Sequence, residues 1–216
     1  MQIRAIGCTD CKSALSGAIH STRLDNNGNK VHVLEKNVVV LTNQTSSTFS
    51  DRKNENIISD NNYKIATVKE QLNSNYSNAK NTNGESVEFK FNVTGLEIKN
   101  TDGPAEKNEF KILANKSGLV SSEFSYVGSD GKDVFNVSPA AIITTDNPGS
   151  NNGGATDWGC KISLDGTFDS LSHEIGHTLE TRDQRSAHED GGVLGHPQGH
   201  VNEKEVDKML EDSYEK

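Results

Sequence analysis

Residues 168–183 read FDSLSHEIGHTLETRD, and the HEIGH at 173–177 decides how the chain is read. On an α-helix each residue turns about 100°, so His173 and His177 come about 40° apart on one face, one turn apart in height. Two imidazoles so placed can meet one metal ion at about 2.0–2.1 Å each. Glu174 stands about 100° round from His173. There it reaches a metal-activated water without taking a ligand position, which suits a general base. Phe168, Leu171, Ile175 and Leu179 fall roughly opposite the histidines. The helix is therefore expected to fasten to a sheet by one face and to offer the other to a cleft, with Thr167 as its N-cap. HExxH also arises by chance, and the bland reading is a surface helix with two solvated histidines. The amphipathic phase, the lack of proline in the helix and the placing of five of the seven histidines after residue 172 count against it.

Outward from this helix the chain alternates strands and polar loops. Downstream, NEKEVDKMLEDSYE (202–215) predicts a helix with Asn202 as N-cap and Glu205 three residues on, a capping-box signature. Val206, Met209 and Leu210 give it an apolar face. Upstream, KISLD (161–165) reads as a short strand, DNPGSNNGGATDWG (146–159) as a Gly/Asn loop and KDVFNVSPAAIITT (132–145) as strand. NEFKILANKSGLV (108–120) is either a short helix or a strand. In ESVEFKFNVTGLEIKN (85–100), Val87, Phe89, Phe91 and Val93 alternate with Glu88, Lys90 and Asn92, the pattern of a half-buried strand. Ile65, Val68, Leu72 and Tyr76 form one helical face. KVHVLEKNVVVLTN (30–43) is rich in β-branched residues and gives one or two strands, and LDNNGNK before it is a turn centred on Asn-Gly. Residues 1–29 read as a polar segment and 30–216 as one domain. The element order predicts an α+β fold, a sheet with few helices.

Composition narrows the function. The chain has 216 residues, enough for one domain with a real core. At 31% hydrophobic and 6% aromatic residues that core is modest and the polar loops are long. A net charge of -9 leaves no electrostatic footprint for nucleic acid or an anionic membrane. No apolar run is long enough for a transmembrane helix. The opening MQIRAIGCTDCKS lacks the charged and apolar regions of a signal peptide, so the chain is expected to be cytosolic or part of a larger exported one. Cys8 and Cys11 form a single CxxC without the second pair of a zinc ribbon, and are read as an inert pair or a local disulfide. Cys160 is read as a small buried residue or an unpaired thiol.

HEIGHTLETRD resembles the extended zinc motif of the metzincins, H-E-x-x-H-x-x-G-x-x-H/D. GGVLGHP (191–197) lies where that clan places its Met-turn. The layout is similar to small metallopeptidase domains at the ends of exported bacterial proteins, polymorphic toxins included. The motif region covers roughly residues 160–212, and the first half resembles the clan only in element order. The resemblance implies a zincin-like mixed sheet with an active-site helix and a C-terminal helix. It also implies Zn2+ held by His173, His177 and Asp183, and Glu174 as general base towards a zinc-activated water. Two positions depart from the pattern. The clan's glycine is Glu180, where a left-handed backbone costs a non-glycine residue about 1–2 kcal/mol. The Met-turn methionine corresponds to Leu194, a nearly isosteric exchange.

The third ligand has alternatives. His188 lies eleven residues after His177 and needs a longer loop, while His196 and His200 suit places behind the ligands or in solvent. Glu180 shares a helix face with His177 but fits poorly into a tetrahedral site with an open position. Three functions follow. The first is a zinc-dependent endopeptidase acting on a protein or peptide substrate. The second is a catalytically decayed zincin-fold binding module. The third is a secreted toxin effector with the same protease chemistry, which would have an immunity protein as partner.

Overall fold

The computed structural model describes residues 17–41, 65–96, 126–127, 134–135, 139–144, 154–157, 161–164, 171–179, 192–194 and 199–215. Its spine is one long strand. β2 (Lys30–Leu41) pairs in parallel along its length with β3 (Ser86–Leu96). Two shorter strands share its other edge. β1 (Ile19–Leu24) runs antiparallel to the first half of β2, and β6 (Ala140–Thr144) runs parallel to Asn37–Val40. Beyond β6 lie β8 (Lys161–Leu164), parallel to it, and β7 (Gly154–Asp157), antiparallel to β8. Beyond β1 lies the two-residue β9 (Tyr214–Glu215). The result is a mixed seven-stranded sheet. β4 (Tyr126–Val127) and β5 (Val134–Phe135) form a separate antiparallel pair. Among the described residues the helices are α1 (Ile65–Asn75), α2 (Leu171–Leu179) and α3 (Glu203–Glu211).

Side chains alternate along a strand, so β2 has two characters. Leu34, Val38 and Val40 join one core with Val87 and Phe91 of β3 and with Ala141 and Ile143 of β6. Into the same core come Val68 and Leu72 of α1, Leu171, Ile175 and Leu179 of α2, and Val206 and Met209 of α3. The described helices thus share one face of the sheet. The other face carries polar pairs: Arg23 with Glu88 at 2.9 Å and Asn92 with Glu35 at 2.7 Å. Helices gathered on one side of a mixed sheet make an α+β fold. No described helix is long and apolar enough to cross a membrane.

The half-buried strand of Val87, Phe89, Phe91 and Val93 is β3, with Lys90 and Asn92 exposed. Val68, Leu72 and Tyr76 of the predicted α1 face are buried, while Ile65 at its start is exposed. The turn before β2 is tied by Asp25, which accepts from the amides of Asn27 and Asn29 at 2.8 Å each, with Gly28 at φ 82°.

Three readings change. Residues 154–157, placed in a Gly/Asn loop, form β7, because β8 supplies the backbone partners that local propensity does not reveal. The strand-like stretch 132–145 contains two strands, β5 and β6, in different sheets. Pro139 precedes β6, and its carbonyl accepts from Asn37 N at 3.2 Å. β1 lies in the stretch read as a polar N-terminal segment, and it is hydrogen-bonded to β2 and β9. Residues 108–120, Cys8, Cys11 and Cys160 lie outside the described residues.

Candidate metal centre

α2 carries HEIGH and is held at three levels. At its start, Tyr76 Oη donates to Ser172 O at 2.8 Å and Asn75 Nδ2 donates to Ser172 Oγ at 2.8 Å, so the end of α1 fixes its entry. In the middle, Leu194 packs against Gly176. A Cβ there would come within 2.8 Å of Leu194 Cδ2, so glycine allows the contact without a shift of Leu194. At its end, Thr178 O accepts from Gly17 N and from Lys36 Nζ, both at 2.8 Å.

His173 and His177 are brought together as the spacing predicts. Their Nε2 atoms are 3.0 Å apart, with ring planes at 88° and centroids 4.6 Å apart. The contact has the geometry of an N–H···N hydrogen bond between two steeply inclined rings. Two metal–nitrogen bonds of about 2.0–2.1 Å from one ion span such a gap at an angle of about 95°, which a four-coordinate site accepts. The His20–His32 pair shows the contrast. Its Nε2–Nδ1 distance is 2.8 Å with centroids 5.0 Å apart and planes at 23°, which is a head-on N–H···N hydrogen bond between nearly coplanar rings.

The tautomer of His173 is fixed. Its Nδ1 lies 3.1 Å from Val193 O. A carbonyl only accepts, so Nδ1 carries the proton and neutral His173 turns a bare lone pair outward at Nε2. This is the usual outer-shell partner of a metal-bound histidine. Val193 is itself held: its amide donates to Glu205 Oε2 at 3.2 Å and that of Leu194 to Glu205 Oε1 at 2.8 Å. Glu205 also accepts from Asn202 N at 2.9 Å, and Asn202 Oδ1 from Glu205 N at 3.0 Å, the predicted capping box. Burial pushes the Glu205 carboxyl above its ordinary value, against the pull of its amide donors. Gly192, at φ 132°, has no room for a Cβ beside Glu205 and Asn202.

One expectation for the helix is corrected. Its histidine face was expected to open to a cleft, yet His173, Glu174 and His177 are 7%, 5% and 9% exposed, and every residue of α2 is buried. The 192–194 segment covers part of the polar face, so α2 is enclosed on both sides. Asp183, His188, His196, Glu180, Thr167 and Phe168 lie outside the described residues. No group of three metal-binding side chains occurs among the described ones, of which Asp183 is not one. His200 is exposed, its Nδ1 3.1 Å from Ser74 O.

Two residues of this neighbourhood escaped the sequence reading. Lys36 could have been found by alternation, since it stands between Leu34 and Val38 on the core face of β2. Glu205 was found as a cap, but its link to residues 193 and 194 bridges a gap that no local pattern spans. Comparison of the chain with protein-family models, curated proteins and solved structures finds no match.

Proposed function

We propose that this chain is a zinc-dependent metalloendopeptidase in which His173 and His177 hold the metal, Asp183 completes the ligand set and Glu174 is the general base. The observation that carries the reading is the approach of the two Nε2 atoms to 3.0 Å from one helix, with Nδ1 of His173 held by Val193 O. Zinc, when bound, supplies a Lewis acid that polarises the scissile carbonyl and makes a water deprotonable near neutral pH. The chain's own residues do the rest. His173 and His177 offer neutral imidazoles, and the Glu205-anchored turn keeps the first ring from rotating. Glu174, one residue after His173, takes the proton of the attacking water and returns it to the leaving amine.

A second reading is a zincin-fold module that holds the metal without hydrolysis. The burial of Glu174 and both histidines favours it, because a substrate carbonyl needs a path to them. The likeness of the motif to domains of exported bacterial proteins adds a biological proposal, a secreted effector paired with an immunity protein.

Metal analysis of the purified chain comes first, and about one zinc per chain is expected. Glu174→Gln should keep the zinc and lose roughly 10²–10⁴-fold in peptide hydrolysis, since only the proton acceptor is removed. A zinc-loaded wild type that cleaves no peptide supports the module instead. A chain free of zinc sinks both.

A further inference from the structure

Lys36 is among the largest side chains buried in the protein, at 1% exposure, in the middle of the central strand. A buried ammonium disfavours folding unless its protons find partners. Here Nζ donates to Gly17 O at 2.7 Å and to Thr178 O at 2.8 Å. The last carbonyls of a helix have no partner within it and carry the negative end of its dipole, so a cation there is favoured. Thr178 O also accepts from Gly17 N, which closes a small ring of backbone and ammonium around the end of α2. Gly17 is fitted to this place. It adopts φ 77°, and a Cβ on it would come within 2.8 Å of Asp212 O. The residue before Thr178 is His177.

We infer that Lys36 is a positioning residue for the metal centre. Its ammonium pins the last turn of α2 and so sets where the His177 imidazole stands. The inference rests on the metallopeptidase reading for the metal it names. Removing the ammonium alone leaves the carbonyls of Gly17 and Thr178 short of a donor and so destabilises the fold, whatever else the lysine does. A purely structural lysine and a positioning lysine therefore differ only in what its loss does to metal binding.

The test is Lys36→Met in the full chain, with zinc affinity measured by competition against a chromophoric chelator and the Tm measured on the metal-free protein. Outer-shell substitutions weaken metal binding by about 10–100-fold. That loss is expected here at a temperature where the metal-free variant is still folded, beside a lowered metal-free Tm, whereas a purely structural lysine would lower the Tm alone. Unchanged affinity in Lys36→Met beside a zinc-binding wild type overturns the role of Lys36 alone. A wild type that takes up no zinc overturns the metallopeptidase reading, and this role with it. Should the methionine variant not fold, Lys36→Ala is refolded with propylammonium or propanol as fillers of the vacated space. Recovery of zinc affinity with the amine only supports the inference, and equal recovery with the alcohol overturns it.

Discussion

Asp183 stands six residues after His177 and His188 eleven after it, and the difference can be measured one side chain at a time. A carboxylate binds zinc at about 2.0–2.2 Å. Asp183→Ala should therefore weaken zinc binding sharply while His188→Ala leaves it alone; the opposite pattern in metal titrations would move the ligand to His188. Gly176 offers a second test at this scale. Alanine in its place gains about 1 kcal/mol of helix propensity, but its Cβ meets Leu194 Cδ2 at 2.8 Å and Cγ at 3.0 Å. Overpacking of this kind costs about 1–3 kcal/mol. Leu194 is fully buried, and shifting it drags the Val193 carbonyl from His173 Nδ1. Gly176→Ala should thus lower zinc affinity more than it lowers the urea midpoint, and an unchanged affinity would refute the coupling. HEIGH was legible because helical geometry acts over four residues, and the two imidazoles do meet. Lys36 was harder to see, because a lysine in a β-rich run reads as solvent-facing until the alternation is followed through Leu34 and Val38.

At the scale of the element, α3 was read from its first four residues, since a capping box is local: Asn202 and Glu205 satisfy each other's amides. What the cap does besides was hidden, because Val193 and Leu194 reach Glu205 across a chain segment. Glu205→Gln keeps the size of the side chain but turns an NH2 towards N–H donors on one side. Leaving a buried donor unsatisfied costs about 1–3 kcal/mol, so the urea midpoint should fall. The pH dependence has a definite sign. Burial, the largest influence, raises the folded-state pKa of Glu205, so the protonated form is favoured in the folded chain. The stabilisation from this group is fully present below the ordinary glutamate value and is lost as pH rises through the raised one. The stability gap between wild type and Glu205→Gln should narrow across that window, and a gap that widens with pH in urea titrations would show the carboxylate to be favoured ionised.

Taken whole, the molecule was legible as strands and helices but not as a sheet. The β-branched run 30–41 announced β2, yet nothing in it says that β1 and β6 divide one edge while β3 takes the other. Such pairings join residues far apart in sequence, and β7 and β9 exist only through them. The same topology makes the candidate metal centre a property of the entire fold: α2 is held by α1 at Ser172, by β2 at Thr178, and through residues 193 and 194 by α3. A ligand that binds only this folded arrangement must stabilise all of it. At free zinc one hundred times its Kd the gain is about 2.7 kcal/mol, and for a chain of this size each kcal/mol raises Tm by about 2–4 °C. Zinc should therefore lift the Tm by about 5–10 °C, and a chelator should reverse the shift. Glu174→Gln keeps every ligand and should show the same rise, whereas His177→Ala should show almost none. A rise of equal size in His177→Ala would mean that zinc is held elsewhere, since the two Nε2 atoms could not both be its ligands.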